Sequence, residues 1–435
     1  MRILRSIWRA GSRLNQIFLA HYRTSQSFGR SGLYTLKYAC TAGTRHVLRR
    51  TALMRRSGTI AKVVANTELN LGTSIPQIAV KISGGVGDYV VIARFLRDLV
   101  SAVEPFEFDL YCASPRNADW VFRSVPGFRE AYSEFLFDEL ADNYWLALRV
   151  SQFVSLDRER AKWYLLRKYR RLTAVFSNLI RFRPEIDVFI EHHPYMDGFL
   201  GQKAVFMGFS RENFLHGMAK VNYGGPRLDL CSDLSVVDKF DLGRQSYVTI
   251  NNGFDPGFFV TGTRATKCYP HCDELVRIFK SRFPGVMVVQ LGTDTSIPIP
   301  GVDINLVAKT SMQQAAALLS HSRLHIDNEG GLVHIAQCLG TTSCVIFGPT
   351  SLDYFAYPSN INIRPHFCGG CWWTNLTWMD ACPRGFDTAR CMSTQDPEAI
   401  VAAIVAADLR SLQSAFGAKQ QAHLHPNGYD LKGAG

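Results

Sequence analysis

The first 66 residues of this 435-residue chain contain no aspartate and no glutamate. Arg2, Arg5, Arg9, Arg13, Arg23, Arg30, Lys37, Arg45, Arg49, Arg50, Arg55, Arg56 and Lys62 lie there, and they supply essentially the whole formal charge of +11. The remainder of the chain is therefore close to balanced. No apolar run is long enough for a transmembrane helix. A secretory leader is not expected, because Leu14–Ala20 is broken by Asn15 and Gln16 and runs into His21 and Arg23. The eleven cysteines are odd in number and scattered, which argues for reduced thiols in a cytosolic setting rather than a disulfide framework. GGVGDY, at 84–89, is not G-x-G-x-x-G, so a nicotinamide fingerprint is excluded. No internal repeat is found. No nucleic-acid reader motif accompanies the basic residues, which sets nucleic acid aside as a partner.

What is present points to a large packed body. Nearly half the residues are apolar (47%) and aromatics make up 12%, so a chain of this length should form two domains with extensions. We expect a basic extension over 1–75, one domain over 76–240, a second over 241–420 and a flexible tail over 421–435. Ile3, Leu4, Ile7, Trp8, Leu14, Ile17 and Phe18 recur at helical spacing among the arginines. The extension reads either as an amphipathic helix on anionic lipid, as an organellar transit peptide, or as a basic arm that is solvated or packed on the body.

From Gln77 onward the pattern alternates between strand and helix. QIAVKI, FEFDLYCAS, RPEIDVFIE and KAVFMGFS read as strands of the first unit. SYVTINN, GVMVVQLGT, LHIDN and TSCVIFGPT read as strands of the second, with helices between them. This βαβ cadence predicts parallel sheets covered on both faces. Two such units in tandem put a ligand cleft at the carboxyl ends of their strands. LDRERAKWYLLRKYRRLTAVFSNLIRF reads as a basic amphipathic helix, either a solvated face or an approach surface for a phosphorylated acceptor.

The segment from Arg323 to Thr350, RLHIDNEGGLVHIAQCLGTTSCVIFGPT, is the most informative. A strand ends in Asp327, Asn328 and Glu329, passes Gly330 and Gly331, and restarts as a helix carrying His334. A helix start of this kind aims backbone N–H groups and its dipole at an anion, and glycines allow phosphate oxygens to come close. The plainer alternative is an ordinary strand–helix turn capped by Asn328, with His334 packed. In SGGVGDYVVIARFLRDL, Asp88 follows Gly87 at a similar turn. It can cap its helix or accept a proton from a hydroxyl. Cys368, Cys371, Cys382 and Cys391 cluster in one loop-like region, a spacing that suits a structural zinc or iron ion, unlinked thiols or disulfides. His192 and His193, before Pro194, read as a strand end suited to acceptor contact or packing rather than metal binding.

The motif IDNEGGLVHIAQCLGTTSCVIFGPTS resembles the donor segment of glycosyltransferase family 9, the ADP-heptose:lipopolysaccharide heptosyltransferases. The matching positions are Asp327, Gly330, His334, Ala336, Leu339, Gly340 and Phe347 to Thr350. SGGVGDYVVIARFLRDL is similar to the family's N-terminal segment, whose aspartate position is occupied here by Asp88. TRATKCYP resembles its Lys-x-Trp-Pro motif, with Lys267 and Pro270 in place and Tyr269 where the family has tryptophan. The resemblance runs from about Gln77 to Val405 and leaves the basic arm outside.

The resemblance implies an α/β fold of the GT-B type: two Rossmann-like domains facing across a cleft. It implies an inverting transfer of heptose from ADP-heptose to a glycan or glycolipid acceptor, with no cofactor required for transfer. Asp88 would be the base and Lys267 the cation facing the leaving diphosphate. Gly87, Lys309, Thr310, Asp327, Asn328, Glu329, Gly330, Gly331 and His334 would line the donor site. His192 and His193 would face the acceptor. Members that glycosylate autotransporter serines are thought to hold iron on cysteines in a similar place, which makes protein O-heptosyl transfer a rival reading. An inactive nucleotide-sugar-binding protein at the membrane face is another. The implied location is cytoplasmic, with peripheral contact to an anionic membrane.

Overall fold

The computed structural model describes residues 63–67, 70–262 and 264–407, together with scattered positions between 14 and 44. Most of the basic extension and the whole 421–435 tail, with the readings attached to them, lie outside the described residues.

The first domain runs β1 (Gln77–Ile82), α1 (Val86–Ala102), β2 (Glu107–Cys112), α2 (Pro115–Phe122), β3 (Phe128–Ser133), β4 (Leu146–Val150) and β5 (Val154–Leu156). It continues with helices α3 (Arg170–Phe182), α4 (Asp187–His192), α5 (Asp197–Phe206) and α6 (Phe214–Ala219). The strand order is β3-β2-β1-β4-β5, parallel except for the β4–β5 pair. The second domain runs β6 (Tyr247–Ile250), α7 (Cys272–Arg282), β7 (Met287–Gln290), β8 (Ile304–Asn305), α8 (Met312–His321), β9 (His325–Asn328), α9 (Gly331–Leu339), β10 (Ser343–Ile346), β11 (Ile361–Ile363) and α10 (Pro397–Ala406). Its order, β11-β10-β9-β6-β7-β8, is all parallel. Both sheets are thus doubly wound around a central pair, β1–β4 in one and β6–β9 in the other. The chain reverses its winding direction at those pairs, and ligands of such folds sit outside the strands' carboxyl ends there.

Alternation along the strands builds the layers. On β1, Ile78, Val80 and Ile82 join one core while Ala79 faces another, formed with Tyr111, Phe137, Tyr144 and Val63. On β10, Cys344 and Ile346 pack with α7 and α10, whereas Val345 joins the core that continues into the first domain. Helix α1 is buried on nearly every side, down to Arg94 and Asp98, because it lies between its own sheet and α9 of the other domain.

Three sequence expectations change. RPEIDVFIE and KAVFMGFS are not strands but the helical region of α4 and α5. Short apolar runs are compatible with either state, and here Gly198, Leu200, Gly201 and Ala204 are buried at helical spacing. The third, fourth and fifth strands of the first sheet come instead from 128–156, with β5 antiparallel. The basic amphipathic stretch is two helices, Trp163–Leu166 and α3, rather than one. Among the described residues no helix is long and apolar enough to cross a membrane.

Candidate active site

The two switch points face each other. Helix α1 starts after β1, and α9 starts after β9. Their first turns touch so closely that a Cβ on Gly87 would lie 2.6 Å from His334 Cδ2, and one on Gly331 would lie 2.6 Å from Val86 Cγ1. Glycine is required at both positions because nothing larger leaves room for the other domain. Asp88 is the next residue along α1, one position after the glycine that touches His334.

Asp88 caps its helix and does more. Its Oδ2 accepts the Gly85 N–H at 3.1 Å. Its Oδ1 accepts from Gln152 Nε2 at 2.9 Å and from Arg211 at 2.8 Å. Gln152 follows β4, the other strand of the switch pair, while Arg211 sits between α5 and α6. Arg211 is 2% exposed and Asp88 26%, so a buried guanidinium fixes a carboxylate that still reaches solvent. Oδ1 is saturated by two donors, whereas Oδ2 keeps a lone pair. Beside this pair His193 Nδ1 lies 2.9 Å from Asp197 Oδ1. Burial pushes the Asp197 carboxyl up, and the His193 contact offsets only part of that. His192 is exposed and turned back onto the Val188 carbonyl of its own helix. The two histidines leave a helix end, not a strand end, and only His193 faces the Asp88 group.

On the facing wall, Glu329 is held between two partners. Lys267 Nζ is 3.5 Å from Oε2, and His334 Nε2 is 3.5 Å from Oε1. Burial alone would raise the Glu329 carboxyl, but the Lys267 ammonium and the His334 imidazole outweigh it and hold the pKa at about 2. His334 Nδ1 is 2.6 Å from the Tyr357 hydroxyl, which accepts from Arg94 of α1 at 2.7 Å. A guanidinium can only donate, so the Tyr357 proton is free for Nδ1 and the Nε2 proton for Glu329. The imidazole in the second domain is thus oriented by an arginine from the first.

Asp327 lies beneath this gap, near enough for the Lys267 ammonium to act on its carboxyl. It is 1% exposed, and its oxygens meet Asn251 Nδ2 at 2.9 Å and His325 Nε2 at 3.2 Å. Burial raises its carboxyl, and it ties β9 to β6 beneath the turn. Asn328 is buried too, with its amide near the Gly253 carbonyl. Gly330 is the extended residue preceding α9, and the first N–H groups of that helix, from Gly331 on, have no intrahelical acceptor. Lys309 is exposed, donates to the Asn305 carbonyl, and with Thr310 follows β8 at the edge of the sheet, away from the switch pair. The structure thus brings Gly87, Gly331 and His334 into contact, with Lys267 and Glu329 beside His334, Asp88 next along α1 and Asp327 beneath the turn; His192 and Lys309 make their contacts elsewhere.

Lys267 owes its placement to the cysteine-rich segment. Thr266 N–H donates to the Met379 carbonyl at 2.8 Å, and the Tyr269 hydroxyl donates to the Gln395 carbonyl at 2.8 Å. Cys368, Cys371, Cys382 and Cys391 are electrostatic neighbours: burial and then the other thiols push Cys371 up to about 11 and Cys391 higher. Four thiols are a soft donor set that suits zinc or iron. Among the described residues, however, no three His, Cys, Asp or Glu side chains are arranged to hold an ion, so metal binding here requires the thiols to draw together. A cavity of about 500 Å³ lies between this segment and the Lys267 loop, lined by Arg264, Thr266, Cys268, Asp380 and Cys382, and not between the two helix starts.

Sequence reasoning found both turns but not Arg211, Gln152, Arg94, Tyr357 or Asp197. Arg211, Gln152, Tyr357 and Asp197 reach the site from distant parts of the chain, and Arg94, though within the glycine-turn segment, acts from the far side of its helix on Tyr357. Glu329 was visible as the acid preceding the glycine pair.

Residues 257–365 match the sequence model described as Glycosyltransferase family 9 (heptosyltransferase). The fold is similar to that of the glycosyl transferase family 9 protein from Veillonella parvula DSM 2008, with a TM-score of 0.51 and 12% identity, covering 77% of this chain and 98% of that one. It is equally similar to TibC, the iron-containing dodecameric glycosyltransferase from enterotoxigenic E. coli H10407, with a TM-score of 0.51 and 16% identity, covering 78% of this chain and 77% of that one. No curated protein matches the chain significantly. The expected GT-B fold of two Rossmann-like domains is therefore found, and the segment 257–365 resembles glycosyltransferase family 9.

Proposed function

We propose that this family 9-like glycosyltransferase moves heptose from an ADP-heptose donor to a hydroxyl of a cell-surface glycan, such as a lipopolysaccharide core, with inversion at the anomeric carbon. The observation that carries the proposal is the pair of facing helix starts, one presenting a carboxylate with a free lone pair and the other a lysine, an imidazole and unpaired N–H groups. Asp88 Oδ2 accepts the acceptor's hydroxyl proton. The acceptor oxygen bonds to the anomeric carbon as the bond from that carbon to the diphosphate oxygen breaks. The electron pair leaves with the nucleoside diphosphate. Lys267 and the N–H groups at the start of α9 face the charge that grows on it. Gln152 and Arg211 hold Asp88 in place.

Mass spectrometry of products tests this reading. Purified protein is offered a panel of nucleotide sugars and extracted glycolipid. A heptose-sized mass gain that depends on ADP-heptose and disappears with Asp88→Ala is the expected result; no transfer from any donor would support the binding-protein reading instead.

The four neighbouring thiols favour a second reading, transfer to serines of a surface protein, since the fold is also that of the iron-containing TibC. If a metal binds, Cys368, Cys371, Cys382 and Cys391 would hold it as a structural crosslink supporting the Lys267 loop. Elemental analysis of protein prepared without chelators, together with activity on serine-containing peptide against glycolipid, separates the two acceptors. Peripheral membrane contact rests on the acid-free 1–66 stretch. Co-sedimentation of the full chain with anionic, but not neutral, vesicles is the outcome expected of it.

A further inference from the structure

The diphosphate cradle already contains an anion. Glu329 is nearly buried, and each of its oxygens faces one of the two groups the donor phosphates would need, Lys267 Nζ and His334 Nε2. Its carboxyl stays ionised at neutral pH because those same partners outweigh the cost of burial. Of the other acids near the contact, Asp327 is turned to Asn251 and His325, and Asp255 lies against Gly85 of the first domain. His334 is pinned from behind by Tyr357 and Arg94, and Lys267 by the flanking Thr266 and Tyr269 contacts. Of the three groups, Lys267 and His334 are braced from outside the trio, whereas the ion-pair contacts of the Glu329 carboxylate are with these two.

We infer that Glu329 is a built-in stand-in for the donor diphosphate, occupying Lys267 and His334 when the cleft is empty and giving them up when nucleotide binds. The inference rests on the reading of this gap as a nucleotide-diphosphate site. A carboxylate and a diphosphate compete for the same lysine and repel each other across a few ångströms. The consequence is weaker retention of the nucleotide, and of the spent product above all, while the empty cradle avoids leaving a half-buried ammonium without a partner. Glu329 therefore sets how tightly the product is held rather than taking part in bond making.

Calorimetry with ADP on the full chain tests this. Glu329→Gln keeps the shape and removes the charge; Glu329→Ala removes the group. Both are expected to bind ADP about tenfold more tightly than wild type, a change of about 1.4 kcal/mol. In a Lys267→Ala background the Glu329→Gln gain is expected to shrink, because the contested cation is gone. The inference is overturned if wild type binds ADP and both Glu329 variants bind equally or more weakly. Weaker binding by the variants only when Mg²⁺ is present would overturn it too, since Glu329 would then be holding a cation to the diphosphate. If wild type binds no ADP while remaining folded, the donor-site reading itself fails and takes this inference with it.

Discussion

Two turns of this molecule have the same construction and opposite chemistry. Each follows the central strand of a doubly wound sheet, passes glycine and opens a helix, and each places one carboxylate beside a basic side chain. Asp88 is paired with Arg211 and Glu329 with Lys267. What separates them is how many lone pairs remain. Both Glu329 oxygens face a partner at 9% exposure, whereas Asp88 is 26% exposed and keeps one side of Oδ2 open. The same topological position thus yields an acid with an open lone pair, the proposed base, on one wall and an ion-paired acid on the other. The lesson is that an acid at a strand–helix turn is assigned by its hydrogen-bond inventory, not by its place in the fold.

Exchanging the properties of the two turns breaks the comparison in graded steps. The largest effect is expected from Asp88→Asn, which keeps the cap geometry but removes the base. Transfer should fall by about 10³-fold with ADP affinity unchanged in calorimetry; retained turnover would make Asp88 only a cap. Next is Arg211→Ala. Losing a charged hydrogen bond of about 1.5–3 kcal/mol should lower kcat roughly 10- to 100-fold and the melting temperature with it, and Arg211→Lys should restore part of both. On the other wall Lys267→Ala should weaken ADP binding by about tenfold or more with little effect on the Asp88 side.

A steric change sharpens the comparison further. Gly87→Ala drives a methyl into His334, and overpacking of this kind costs about 1–3 kcal/mol. It should lower the melting temperature and loosen both half-sites together, whereas the charge variants affect one each. The smallest effect is in the pH dependence of stability. The folded-state Glu329 pKa, about 2, lies below the ordinary value of 4.5. Its contribution is therefore complete above about pH 4.5 and is lost as pH falls toward 2. Wild type should lose more stability than Glu329→Gln between pH 5 and 2 in chemical denaturation; parallel profiles would mean the pairing is not made in solution.

The second domain was far more legible in the sequence than the first. SYVTINN, GVMVVQLGT, LHIDN and TSCVIFGPT are all strands, because short β-rich runs alternate there with helices bounded by glycine or serine. In the first domain the residues of β3 and β4, such as Arg129, Glu130 and Arg149, interrupt the apolar pattern, while the apolar runs in α4 and α5 imitate strands. The site divides in the same way. The two glycine turns carry their chemistry within a few consecutive residues and could be read directly. Arg211, Gln152 and the Arg94–Tyr357 brace could not, since they meet the turns only after both sheets have formed and the domains have packed. Asp327, read as a donor residue from its place in the motif, is buried between Asn251 and His325 beneath the turn, partners the motif did not reveal.

The measurement that tests the account most directly is a crystal structure of the full chain with ADP bound. The diphosphate is expected against Lys267, His334 and the N–H groups at the start of α9, with Glu329 displaced and the Asp88 carboxylate facing the terminal phosphate across the gap. ADP bound elsewhere, for example in the cavity lined by Arg264 and Asp380, with the Lys267–Glu329–His334 contacts undisturbed, would contradict it.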